Sequence, residues 1–122
     1  MQGIRQYQNT ALHTAPRETL LLLLLEAALE RQDAAIEALR SGDAGVAREH
    51  LAFCRNVFSE LMLALDHDMA PDLAARLHRL YLWCLRELAR AGSTRDPAVI
   101  ENVRKITQSL LDTWTTAVEQ TA

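Results

Sequence analysis

Glycine and proline are scarce in this chain, four and three in 122 residues, and aromatic residues make up only 5%. Those shortages, set beside abundant leucine and alanine, argue against a sheet and for helices joined by short turns. The length suits one hydrophobic core and not two, which excludes most multidomain enzymes. Lysine occurs once, at Lys105; the other basic side chains, histidines apart, are arginines, and the net charge of −3 offers no basic field for nucleic acid. Long apolar runs are also missing. The longest, Leu20 to Leu25, is closed by Glu26, far short of the roughly 20 residues that span a bilayer. Residues 1–8 lack both the basic start and the apolar stretch of a secretion signal, so a cytosolic protein with no membrane insertion is expected. Cys54 and Cys84 show no CxxC spacing and fall in apolar helical patterns, as buried free thiols do.

What is present is helical period. Residues 1–15 are polar and glutamine-rich and read as a tail, flexible or acting as a cap; the bundle is expected over 16–122. Pro16 suits a first helical turn, and the apolar pattern then runs to Arg40, where Ser41-Gly42-Asp43 supplies a glycine stop. Asp43 can cap a second helix, about 44–65, with Ala47, Leu51, Cys54, Phe58, Leu61 and Leu65 at steps of three and four. A third, about 71–91, carries Leu73, Leu77, Leu80, Cys84 and Leu88 and is expected to end at Gly92 in the left-handed conformation. Asp96-Pro97 opens a fourth, about 97–119, with a stripe of Val99, Val103, Ile106, Leu110 and Trp114. Four such helices with short connections predict an all-α, antiparallel up-down-up-down four-helix bundle.

The apolar content exceeds what that bundle needs. On the first helix Glu26, Glu30, Asp33 and Glu37 mark one solvent strip, while Leu22, Leu25, Leu29 and Ile36 lie far around the cylinder from Leu20, Leu24, Ala27 and Ala38. Both groups cannot face one core, so a further surface is expected to cover one of them. Leu82 and Trp83 on the third helix, and Val46, Phe53 and Val57 on the second, add to the excess. Contiguous apolar surface of this kind marks a partner site, and an amphipathic helix is its natural occupant. Antiparallel packing sets the leucines of the first helix level with Leu61 to Leu65, Leu73 and Trp114, at the end from which the tail leaves; Tyr7 could fold back there.

Catalytic and metal-binding patterns are missing. Ala47, Ala64 and Ala75 stand where Glu-x-x-His pairs with His50, His67 and His78 would need glutamate. No Ser-His-Asp or Cys-His arrangement and no phosphate-cradling glycine loop occurs. The sequence reads as a binding module with no catalytic residues, no cofactor and no metal.

The order of features resembles the flagellar secretion chaperone family FliS over nearly the whole chain. The matching pieces are Tyr7 in a polar tail, Thr14-Ala15 before the first helix, Glu18 and Leu20 opening it, Leu80-Tyr81, Asp96-Pro97, and Trp114. Departures fall where the family has Ser-Pro after Thr-Ala, here Pro16-Arg17, and Leu-Tyr-Asp-Gly, here Leu24-Leu25-Glu26-Ala27. Ala70-Pro71 replaces paired glycines, Arg76 an asparagine, and Leu82 a polar residue. The resemblance implies a cytosolic chaperone that binds the disordered C-terminal segment of flagellin, wrapped as helices around the bundle, prevents premature polymerisation and supports delivery to the export apparatus, where a gate component is a candidate further partner. The expected partner-binding residues are Tyr7, Leu20, Leu24, Ala27, Phe53, Val57, Tyr81, Leu82 and Trp83. The alternatives are a paralogue with another secreted client and a homo-oligomeric helical adaptor, a homodimer for instance, that buries these faces against a second copy.

Overall fold

A computed structural model describes residues 17–121 of the chain as four helices: α1 (Arg17–Arg40), α2 (Ala44–Leu63), α3 (Pro71–Thr94) and α4 (Pro97–Thr121). They form an antiparallel four-helix bundle with no strand among the described residues. The tail and Tyr7 lie outside them.

Local chemistry sets the helix ends. No glycine or proline interrupts α1, and Glu18 in its first turn and Arg40 in its last complement the helix dipole. Gly42 ends it with φ of +80°: its amide donates to the Leu39 carbonyl at 3.1 Å and the Asp43 amide to the Ala38 carbonyl at 2.8 Å, the paired bonds of a Schellman cap. Asp43 then starts α2, its Oδ1 accepting from the Val46 amide at 3.1 Å. Asp66 organises the next turn by accepting from the amides of Asp68 and Met69, and α2 stops at Leu63, two residues before the expected end. At α4, Asp96 accepts from the Ala98 amide at 3.0 Å with Pro97 as the first helical residue.

The end of α3 differs from expectation. The helix runs through Gly92 to Thr94, and Arg95 takes the left-handed position at φ 55°, its amide bonded to the Ala91 carbonyl at 2.9 Å. Gly92 is an ordinary helical residue at the α2–α3 contact: a Cβ there would lie 3.6 Å from Cγ of Arg48 and 3.9 Å from Cδ1 of Leu51, ordinary van der Waals distances, so the fold does not require glycine at this position.

Each helix touches its two neighbours around a ring and none touches the helix diagonally opposite. The core holds Leu25, Ala28, Ala35 and Ile36 of α1, Leu51, Cys54, Phe58 and Leu61 of α2, Tyr81, Cys84, Leu88 and Ala91 of α3, and Val99, Ile100 and Val103 of α4. α1 packs most extensively, against α2 on one side and α4 on the other, and the α3–α4 seam is the thinnest. This geometry corrects the expectation of an uncovered face on α1. Ala27 and Ala38 are buried as well as Leu25 and Ile36, because two flanking helices need two apolar rows. The strip Glu26, Glu30, Asp33 and Glu37 faces solvent as expected. Asp33 pairs with Arg104, and Arg40 with Glu101 at 2.9 Å, tying the outer edges of α1 and α4.

Candidate binding groove

The thin seam between α3 and α4 is where the apolar surplus emerges. In the first half of α3 the core row is Ala74, Tyr81 and, further on, Cys84, Leu88 and Ala91. Leu73, Leu77 and Leu80 form a second row turned toward α4. On α4 the buried residues Val99, Ile100, Val103 and Thr107 belong to its first half; Ile106 beside them, and Leu110 and Trp114 past them, are only half-buried. The two surplus rows face each other across a cavity of about 270 Å³, lined also by Ser109, Thr113 and Ala117.

Leu73, Leu77 and Trp114 also line a second cavity of about 220 Å³ at the end of the bundle, with Leu21, Leu61, Leu65, Met69, Ala70 and Tyr81. The two make one continuous apolar groove that runs along α3 and α4 and turns under the α2–α3 connection. Met69 is 83% exposed and Leu73 56%, large values for apolar side chains. Among the described residues Asp66 is the only charged side chain in either lining. Arg17 donates to the Ala64 carbonyl at 3.2 Å, fixing the start of α1 beside this end.

The floor of the groove is closely packed. Tyr81 is 2% exposed, its ring centroid 5.9 Å from that of Phe58. Burial, then the nearby Cys84, push the Tyr81 hydroxyl up to about 12, and a hydrogen bond with Trp114 opposes them. Burial likewise pushes the thiols of Cys54 and Cys84 up to about 12. Cys54 Sγ donates to the Ala28 carbonyl at 3.4 Å. None of these groups is poised as a nucleophile. Arg31 lies over the Phe53 ring at 4.4 Å and its Nη1 is 3.1 Å from His50 Nδ1, while the His67 and His78 rings meet edge-on at 6.1 Å. Among the described residues no three metal-ligating side chains cluster, and no helix is long and apolar enough to cross a membrane.

The nine residues expected from the sequence do not form one surface. Tyr7 is outside the described residues. Ala27, Val57 and Tyr81 are buried at 2 to 3% exposure and present no surface, a correction to their expected place on an accessible face. Leu20, Leu24, Phe53 and Leu82 are half-buried and Trp83 is exposed, but α1 and α3 occupy diagonal corners of the ring, so Leu20 and Leu24 cannot share a face with Leu82 and Trp83. The groove residues Met69, Leu73, Leu77, Leu80, Leu110 and Trp114 were missing from the expected set, although the expected level of Leu61 to Leu65, Leu73 and Trp114 at one end of the bundle is where the end cavity lies. The signal lay in α3, where Ala74, Tyr81, Cys84, Leu88 and Ala91 already complete a core row and leave Leu73, Leu77 and Leu80 without one.

An all-α ring with an open apolar seam and no reactive centre is matched by the sequence comparison, in which the profile of the family described as flagellar protein FliS aligns with residues 1–121. The chain belongs to the FliS family. A flagellar secretion chaperone FliS of Vibrio cholerae is 23% identical over 106 residues, covering 87% of this chain and 78% of its own. The flagellar secretion chaperone FliSB of Pseudomonas aeruginosa is 24% identical over 118 residues, covering 93% of this chain and 94% of its own. A crystal structure of a bacterial flagellar chaperone superposes with a TM-score of 0.79 at 21% identity, over 97% of this chain and 98% of that one, and so shares the fold. FliS proteins are chaperones of flagellar export and not enzymes, consistent with a site made of leucine, methionine and tryptophan.

Proposed function

We infer that the α3–α4 groove of this FliS-family protein receives the apolar face of a helix from the disordered C-terminal segment of flagellin, and that the chaperone holds this client unpolymerised in the cytosol until it is handed to the export apparatus. The observation that carries the reading is the continuous apolar groove joining Leu73, Leu77, Leu110 and Trp114 to Met69 and Leu65. Its shape suits a rod and its lining is mostly apolar, which is what the apolar face of an amphipathic helix requires of a groove. The segment before α1, which contains Tyr7 and lies outside the described residues, is proposed to shield the end cavity, beside which α1 begins, until the client arrives. Phe53 and Leu82, both half-buried, are candidate outer contacts for a client long enough to continue around the bundle.

Mixing the protein with the flagellin C-terminal segment tests this, with circular dichroism as the readout. Helicity rises beyond the sum of the separate spectra as the segment folds on the groove. No rise and no measurable binding contradict the reading. Deleting residues 1–13 is expected to lower solubility and change client affinity; a monodisperse truncated protein with unchanged affinity removes the shielding role.

A further inference from the structure

Outside the groove, the most ordered feature of the surface is electrostatic. Arg76, Arg79, Trp83, Arg86 and Arg90 recur on α3 at steps of three, four, three and four, and all five are exposed. At the rise of an α-helix the stripe is about 21 Å long. Arg90 is engaged with Glu87 at 2.7 Å, while among the described residues no salt bridge reaches Arg76, Arg79 or Arg86. Residues 76–95 hold five arginines against one glutamate, a formal +4 on a chain whose total is −3. Arg48, Arg55 and Arg95 line a cleft with Ala89, Gly92 and Ser93 on the α2 side of the same helix and widen the positive field. The opposite corner of the ring is the acidic strip Glu26, Glu30, Asp33 and Glu37 on α1. Charge is therefore segregated between diagonal helices.

We propose that the outer face of α3 is a second docking surface, distinct from the apolar groove, and that it binds an acidic helical segment of a partner protein. Guanidinium groups at helical spacing match carboxylates at the same spacing on a facing helix and can hold them bidentately. Trp83, 37% exposed in the middle of the stripe, supplies an apolar anchor of the kind that dominates interface energetics. The acidic α1 corner repels the same partner and directs it to α3. A long polyanion such as nucleic acid meets the net negative charge of the whole molecule, whereas a short acidic segment meets only the local positive face, and this favours the protein ligand.

The probe is a Glu-rich helical peptide of about 15 residues, matching the stripe in length, titrated into the full-length chain and followed by NMR. The expected result is a saturable shift of the Trp83 indole N–H with that of Trp114 unmoved. Affinity should fall about tenfold between low and physiological-to-high salt. Arg79→Glu with Arg86→Glu abolishes the shift, and Arg79→Gln with Arg86→Gln weakens it; both positions are solvent-facing, and a retained melting temperature confirms folding. The proposal is overturned if the peptide does not bind, if a Lys-for-Glu version binds equally, or if the charge-reversed protein binds unchanged. It is also overturned if a single-stranded oligothymidine or a phosphatidylserine vesicle binds the stripe more tightly than the peptide, or if sedimentation without peptide shows that a second copy occupies it.

Discussion

Gln32 is a polar side chain held wholly inside the bundle. Its Nε2 donates to Thr107 Oγ1 at 2.9 Å, and Thr107 donates to the Val103 carbonyl at 3.0 Å, but Gln32 Oε1 has no partner. A buried half-satisfied amide costs more than an apolar side chain of similar size. Gln32→Leu should therefore raise the unfolding free energy by about 1 kcal/mol, measured by denaturant titration; a loss of similar size would show that the Gln32–Thr107 bond aligns α1 with α4. The thiols make a second prediction. Cys54 and Cys84 sit at about 12 against an ordinary 9.0, and Tyr81 at about 12 against 10.0, each raised chiefly by burial. The neutral forms are preferred in the fold, so unfolding releases protons once the solution passes the unfolded values. Stability from these groups is full below pH 9 and is lost progressively as pH rises from 9 toward 12. Denaturant midpoints across that range check it, and native thiols should label slowly at neutral pH.

Capping decides the elements, and it was largely legible. Gly42 and Asp43, and Asp96 with Pro97, act where residue chemistry places them. Gly42→Ala should destabilise by about 1 kcal/mol by putting a Cβ at φ +80°, and Asp43→Ala by about 1 kcal/mol by stripping the Val46 amide of its acceptor. Gly92 misled because a glycine near a helix end stops the helix or is simply carried within it, and sequence does not say which. Arg95 bears the consequence. Arg95→Gly should raise stability by about 0.5 to 1 kcal/mol, read as a small rise in melting temperature; no rise would show that Arg95 contacts offset its backbone strain. Faces were harder to read than ends. α3 carries two apolar rows one residue apart, and the bulkier Leu73-Leu77-Leu80 row looks like core although Ala74 and Tyr81 occupy that place. A row of leucines reports hydrophobicity; which neighbour covers it depends on the ring order of helices, which periodicity does not encode.

For the whole molecule, the ring order explains both what is closed and what is open. α1, with apolar rows on two sides, is held between α2 and α4, so Leu23 and Leu25 of its leucine run are buried and the other four leucines are half-buried. The thin α3–α4 seam leaves its surplus rows partly open to solvent, and the diagonal placement of α1 and α3 separates negative charge from positive. Beneath the end cavity the buried Tyr81 ring, packed against Phe58, keeps the apolar lining of the groove from being filled by the core. The central claim is that this groove, and not the α1 leucines, engages the client. Titration calorimetry with the flagellin C-terminal segment against two single variants tests it most directly. Leu73→Asp lies in the groove at an exposed position that leaves the fold intact, and it should weaken binding about tenfold or more, the loss expected from placing a charge in a buried apolar contact. Leu24→Asp on α1, with folding checked by its melting curve, should leave the affinity of the folded protein within about twofold. Unchanged binding by Leu73→Asp together with loss in a folded Leu24→Asp protein would contradict the account.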